Sequence, residues 1–321
     1  MTIETPEFGL ALENFTPASK APDMGALLDY CVTAEELGFA SVWAWDHLFL
    51  GARRPFPFFE ALTTLAMAAA RTSSIRLGTG VLVLPIREPV ALAKAAGTLQ
   101  IASGGRLVLG MAAGWYEREF EATAVPFRGR GTVFERNLDL MGRLWAGGEV
   151  SGEWDDRVLR RVTMVPRPRP RPRVLVGGYV DAVLKRAATL ADGWITYFYT
   201  AESFARSWAK VRAFAEQAGR DPAGLRNVTQ LPLCIGASFE SAGAAAREYV
   251  AEYFDTPAWS EASADSAIAG TPQQCAEQIA AHLAAGAQHL VFCPVNYDTE
   301  QVHRLAAEVL PLLGATVAGV A

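Results

Sequence analysis

The residues with the greatest chemical capacity stand together in Trp43-Ala-Trp45-Asp46-His47-Leu48-Phe49. A carboxylate beside an imidazole, flanked by aromatic rings, suits a proton donor or acceptor next to a planar molecule. The same pair has a structural reading, with Asp46 capping a turn and His47 satisfied in the core. A second cluster, Gly110-Met-Ala-Ala113-Gly114-Trp115-Tyr116, sets small residues before aromatic ones, as a slot for a flat ligand requires. Val176-Gly177-Gly178 precedes a predicted helix, where backbone N–H groups favour an anion such as phosphate. Thr196 is placed to add a hydroxyl to that anion, and Tyr197, Phe198 and Tyr199 follow it as an aromatic wall. No G-x-G-x-x-G follows the first predicted strand and no P-loop motif occurs, which argues against a dinucleotide fold or nucleotide hydrolysis. The 4 histidines form no H-E-x-x-H pattern and the 4 cysteines no C-x-x-C, so no metal site is expected and the thiols read as buried and free.

These residues need a scaffold, and the chain has the composition for one. It has 321 residues, 51% hydrophobic and 20% charged, with a net charge of −5. The mean hydropathy is +0.14 and the pI about 5.5. Disorder is excluded, as is nucleic-acid binding through bulk positive charge. The first residues lack a basic, apolar signal-peptide pattern, and Ala61–Ala70 is too short and too rich in Ala and Thr to span a bilayer, so a cytoplasmic protein is expected.

Short apolar runs alternate with Ala/Leu-rich helical segments. Strands are predicted at Phe8–Leu12, Ala40–Trp45, Arg76–Val83, Arg106–Met111, Arg173–Val176, Gly193–Thr196, Val228–Ile235 and His289–Phe292. Helices carry stop and start signals such as Gly38, Pro89, Ser103-Gly104-Gly105, Pro272 and Gly286. Eight such units imply an α/β fold of the (β/α)₈ TIM-barrel type across residues 1–321, with an open eight-stranded sheet as the rival. A minimal barrel needs about 250 residues, leaving roughly 70 as insertions. They fall at about 116–172, after the fourth strand, and at about 254–270, a mobile loop after the seventh. The first contains a polar segment, Ser151–Arg160, and ends in Pro166-Arg-Pro-Arg-Pro-Arg-Pro-Arg173. That tract reads as an extended, solvated spacer whose arginines could also attract an anion.

Catalysis in such barrels sits at the C-terminal strand ends, which gather the clusters above on one face. Two glycines within Arg76-Leu-Gly78-Thr-Gly80-Val81-Leu-Val83 add a bulge or a close backbone approach there. Ile75-Arg-Leu-Gly-Thr-Gly-Val-Leu-Val-Leu-Pro85 resembles the third-strand motif of the luciferase-like flavin and deazaflavin oxidoreductases. Leu99-Gln-Ile-Ala-Ser-Gly-Gly-Arg106, Gly110 to Phe120, Val176-Gly-Gly178 and Ala191-Asp-Gly-Trp194 are similar too, in order, over roughly residues 7–313.

The resemblance implies a barrel, homodimeric or larger, that binds coenzyme F420 or FMN at its C-terminal face. It assigns Asp46 and His47 to the carboxylate and imidazole beside the cofactor ring. It assigns Gly80 and Val81 to a bulge, often a cis peptide, behind the ring. Ala113, Gly114, Gly177, Gly178 and Thr196 match tail and phosphate contacts. Trp115 stands where a deazaflavin-dependent sugar-phosphate dehydrogenase has a glutamate, which argues against sugar-phosphate oxidation. Ala113 stands near an arginine that contacts FMN phosphate in bacterial luciferase, which leans against that mode of FMN binding. The expected activity is F420-dependent hydride transfer to or from a small apolar or cyclic organic substrate, with His47 moving the proton and Asp46 orienting it. The alternatives are an FMN-dependent monooxygenase and a non-catalytic flavin carrier. The substrate pocket is expected between Phe15, Trp45, Phe49, Trp115, Tyr197 and Tyr199, with no role for nucleic acid or membrane.

Overall fold

The computed structural model describes residues 5–51, 55–154, 157–253 and 265–314. Eight parallel strands form its centre: β1 (Glu7–Ala11), β2 (Ser41–Ala44), β3 (Arg76–Val83), β4 (Leu107–Ala112), β7 (Arg173–Gly177), β8 (Gly193–Tyr197), β9 (Arg226–Ile235) and β11 (His289–Pro294). They are ordered β9-β11-β1-β2-β3-β4-β7-β8, and β8 pairs back onto β9. The sheet is therefore closed, a (β/α)₈ barrel rather than an open sheet.

Strand alternation divides the apolar residues into two cores. Ala11, Trp43, Val108, Leu175, Ile195 and Val228 fill the barrel. Their neighbours Leu10, Val42, Leu109, Val174 and Trp194 face the helices. This double burial is why the strands read as continuous apolar runs.

The helices start where local chemistry caps them. The Asp23 side chain accepts from Ala26 N ahead of α1 (Met24–Glu36). Glu88 does the same for α3 (Pro89–Ala102), whose Pro89 occupies the first helical position. Thr271 and Gln274 form a reciprocal capping box at α9 (Pro272–Ala284). Among the described residues, no helix is long and apolar enough to cross a membrane.

The additional segments have more order than their composition suggests. The polar segment Ser151–Arg160 belongs to an antiparallel hairpin, β5 (Val150–Trp154) and β6 (Arg157–Val162), whose polar alternation reflects a ribbon with one solvated face. The Pro-Arg tract is exposed along most of its length, as a solvated spacer would be, but it is fastened to the barrel. It carries cis peptides at Val165–Pro166 and Arg169–Pro170, and Pro168 and Pro172 are buried. Lys94 Nζ donates to Val165 O, Gln100 Nε2 to Pro170 O at 3.0 Å, and Arg171 grips Asp192 through two bonds of 2.7 Å. Two inward prolines, Pro168 and Pro172, and the bonds of Arg167 to Trp145 O and of Arg171 to Asp192 fasten the tract to the barrel. The loop expected at 254–270 lies outside the described residues up to 264, but its end is ordered: Ile268–Gly270 is β10, paired in parallel with β9.

Candidate active site

A cavity of about 370 Å³ opens at the C-terminal ends of the strands, within the range of small-molecule sites. It is lined by Phe15, Trp45, Asp46, His47, Gly80, Val81, Ala113, Gly114, Trp115, Gly177, Gly178 and Tyr197, all singled out in the sequence. Three other singled-out residues lie elsewhere. Thr196 sits between Ile195 and Tyr197, so its fully buried side chain is on the helix-facing side of β8 and does not line the cavity. Tyr199 packs on Trp194 at 5.9 Å. Phe49 lies against the edge of Tyr116, at 6.3 Å, and is part-exposed.

His47 sits just past the C-terminal end of β2. Its Nδ1 lies 3.0 Å from Glu119 Oε2, while Glu119 Oε1 accepts from Leu48 N at 2.6 Å. Glu119 is fully buried and comes from α4 (Glu117–Ala122), the first helix after β4. In the tautomer that donates Nδ1–H to this carboxylate, Nε2 carries the lone pair. Phe58, Trp115 and Tyr116 surround the imidazole edge-to-face, with centroids 5.8, 5.6 and 6.4 Å away.

Asp46 does something different from its neighbour. It is buried, with Oδ1 2.5 Å from Arg87 Nη2 and Oδ2 accepting from Val83 N at 2.9 Å. Burial raises its pKa, and Arg87 and the Val83 N–H oppose that shift without cancelling it. Arg87 also reaches Glu60 at 3.3 Å. Asp46 thus fixes the end of β3 to the end of β2, and the carboxylate bonded to His47 is Glu119 instead.

The back of the cavity is backbone. The Gly80–Val81 peptide is cis, at a register shift between β3 and β4. A Cβ at Gly80 would fall 2.6 Å from Gln230 Nε2, and one at Gly177 2.8 Å from Val81 Cγ1. Close packing therefore admits only glycine at these two lining positions.

The far end of the cavity is cationic. Gly129, in the left-handed region at φ 81°, opens α5 (Arg130–Ala146) without a side-chain cap. Val180 likewise opens α6 (Asp181–Leu190) uncapped. Arg130 and Arg186 line the same end. Arg130 is held by a 2.9 Å bond to Gly114 O and lies over the Phe127 ring, and Arg186 by Glu135 at 2.7 Å. Two helix N-termini and two guanidiniums suit this end to an anion, with Thr132 N and Val183 N already turned back onto Gly129 O and Val180 O.

The opposite wall is aromatic. Phe15 and Phe58 form a backbone bridge, and their rings stack at 4.8 Å. Trp45 is locked by Asn14, which bonds both its N–H and its carbonyl at 2.8 Å. Burial, and then Tyr179, push the Tyr197 hydroxyl upward, so it stays neutral.

Sequence reasoning missed Glu119, Phe58, Arg130 and Arg186. Glu119 had one visible signal, its place beside Phe120 in a short helix otherwise made of exposed charges.

Catalytic clefts at the C-terminal face define the class of TIM-barrel enzymes. The luciferase-like monooxygenase family model matches residues 7–289, and the chain belongs to that family. An F420-dependent glucose-6-phosphate dehydrogenase of Nakamurella multipartita is 28% identical over 319 residues, covering 91% of this chain and 93% of the relative. An uncharacterised Mycobacterium tuberculosis protein is 35% identical over 166 residues, which span 51% of this chain and just 57% of that relative. Monooxygenase RslO1 from Streptomyces bottropensis shares the fold with a TM-score of 0.80 at 23% identity, covering 96% of this chain and 99% of that one.

Proposed function

We propose that this protein is an F420-dependent oxidoreductase acting on a small apolar or cyclic organic substrate. The observation that carries the proposal is the His47–Glu119 pair at the edge of a cavity with a glycine-lined back and two arginines at its far end. Relatives matched over more than nine-tenths of their length, named as F420-dependent dehydrogenases, support it. The residues present fit a planar ring with an anionic tail: Gly80, Val81 and Gly177 behind the ring, Arg130, Arg186 and the α5 and α6 N-termini around the tail. When bound, the deazaflavin supplies or accepts a hydride.

The chain's own residues handle the proton. His47 Nε2 takes the substrate hydroxyl proton as hydride leaves the carbon, or returns it in the reverse direction. Glu119 holds Nδ1–H and offsets the imidazolium charge. Asp46 and Arg87 keep β2 and β3 in register behind this pair. Phe15, Phe58, Trp45 and Trp115 exclude water and favour an apolar substrate over a sugar phosphate.

Titrating apoprotein separately with F420 and FMN, and following fluorescence quenching, tests the reading. F420 binding followed by substrate-dependent bleaching of its absorbance is expected. Tight FMN binding without F420 binding overturns it and favours the second reading, an FMN-dependent monooxygenase, which the water-excluding aromatic shell around His47 would also serve.

A further inference from the structure

Behind the back wall of the C-terminal cavity stands a polar group that the proton chemistry does not use. Gln230, in β9, is fully buried and does not itself line the cavity. Its strand partners are Tyr197 of β8 and Val291 of β11. Val228, two residues earlier, belongs to the inner core, so alternation turns Gln230 into the barrel as well. There its amide lies across Gly80: a Cβ on that glycine would fall 2.6 Å from Nε2 and 3.1 Å from both Cδ and Oε1. Nε2 donates to Gly80 O in a long bond of 3.4 Å. Among the described residues, Oε1 has no hydrogen-bond partner.

Strand pairing alone does not place the stretch that this amide touches. β3 is in register with β2 as far as Thr79, and with β4 as far as Thr79 and again from Leu82. Gly80 and Val81 stand outside both registers, yet both line the cavity. Val81 is seated by side chains that are absent. Its Cγ1 lies 2.8 Å from where a Cβ on Gly177 would stand, and 3.2 Å from where one on Gly110 would. Val81 is thus wedged between two glycines, and Gly80 is backed by Gln230. A methionine would fill much the same space as the glutamine without burying an unmet carbonyl, which costs stability. What the amide adds is its N–H, and that N–H meets a carbonyl of the wall.

We infer that Gln230 is a positioning residue: its amide supports Gly80, sets the depth of the cavity's back wall, and so fixes where a bound cofactor ring lies relative to His47. The inference rests on the proposed function, in which the ring lies against Gly80 and Val81.

Two variants test it, with F420 affinity followed by fluorescence quenching, the absorbance band of the bound cofactor, and the thermal midpoint of the apoprotein. Gln230→Met keeps the volume and removes the amide. It is expected to bind F420 at least tenfold more weakly and to shift the bound band, while the midpoint stays the same or rises. Gln230→Glu makes the support depend on pH. A protonated carboxyl can donate to Gly80 O, whereas a carboxylate can only accept and faces that carbonyl with like charge. Burial raises the pKa of the new carboxyl into the range between about pH 5 and about pH 8. Affinity relative to wild type is expected within threefold at about pH 5 and at least tenfold weaker at about pH 8. Affinities within twofold of wild type for both variants at both pH values overturn the role, as does a loss that only follows a falling midpoint. Each titration is repeated with FMN. A wild type that binds FMN alone overturns the choice of F420, and the FMN affinities of the variants then decide the role of Gln230. A wild type that binds neither overturns the proposed function and this inference with it.

Discussion

The two ends of this barrel solve opposite problems with the same strands. At the N-terminal end, charged side chains meet partners that tie loops together. Glu35 accepts from the backbone N–H groups of Ser73, Ser74 and Ile75, which hold its pKa down at about 2 against the opposing effect of burial. Arg106 spends its guanidinium on carbonyls of Ala69, Thr72, Ile75 and Ser103. At the C-terminal end, backbone is laid bare by Gly80, Gly114, Gly177 and Gly178, and charged side chains point toward a cavity. Stability is built into one mouth and access into the other, as parallel (β/α) geometry permits.

The sharpest way to break the comparison is at His47. His47→Ala should lower turnover roughly 10²–10⁴-fold, the usual range for a lost general acid–base, while cofactor affinity stays within about tenfold. Unchanged turnover would make His47 part of the framework. Arg87→Met tests whether the active-site end also carries stability. It leaves the Asp46 carboxylate buried with only the Val83 N–H, at a cost of about 3–5 kcal/mol in urea unfolding at neutral pH. The loss should shrink in acid, because protonation neutralises the stranded group. A loss that is the same at every pH would refute the charge-pairing account.

Glu119→Gln should be milder, about tenfold in kcat with KM and cofactor affinity unmoved, and Glu119→Asp should recover part of it. A parallel fall in thermal stability without the kinetic split would mark Glu119 as structural only. The smallest effect belongs to the other mouth. His289 titrates at about 3 when folded, against an ordinary value near 6.5. Below about pH 6 the unfolded chain binds a proton that the folded chain does not, so stability falls as pH drops, by at most about 1.4 kcal/mol per unit from this group. His289→Gln should flatten that slope between about pH 6 and 5, measured by denaturant midpoints.

Much of this molecule was legible because burial on both faces leaves a strong trace. Arg76–Val83 coincides with β3, and the other seven barrel strands fall within two residues of their predicted limits at each end. The cavity's glycines were legible too, since a glycine interrupting an apolar strand needs a spatial reason. The rest was hidden by chemistry that looks ordinary in one dimension. Glu119 lies in Glu117-Arg118-Glu119, indistinguishable by composition from a solvated helix turn. Arg130 and Arg186 read as surface charges until the loops bring them together. Thr196 shows the converse: its hydroxyl suited an anion, but Trp194 two residues earlier packs among the helices, and alternation places Thr196 on that same side.

The origin of Glu119 matters beyond its hydrogen bond. Barrel enzymes diversify by exchanging the loops above a constant scaffold, so recognition can drift while reactivity is inherited. In this chain the carboxylate that sets the imidazole's tautomer arrives from α4, inside the segment added after β4. Recombining that segment to acquire a new substrate would also take the carboxylate away from His47. On the proposed function, selectivity and reactivity are then one heritable module, to be revised together.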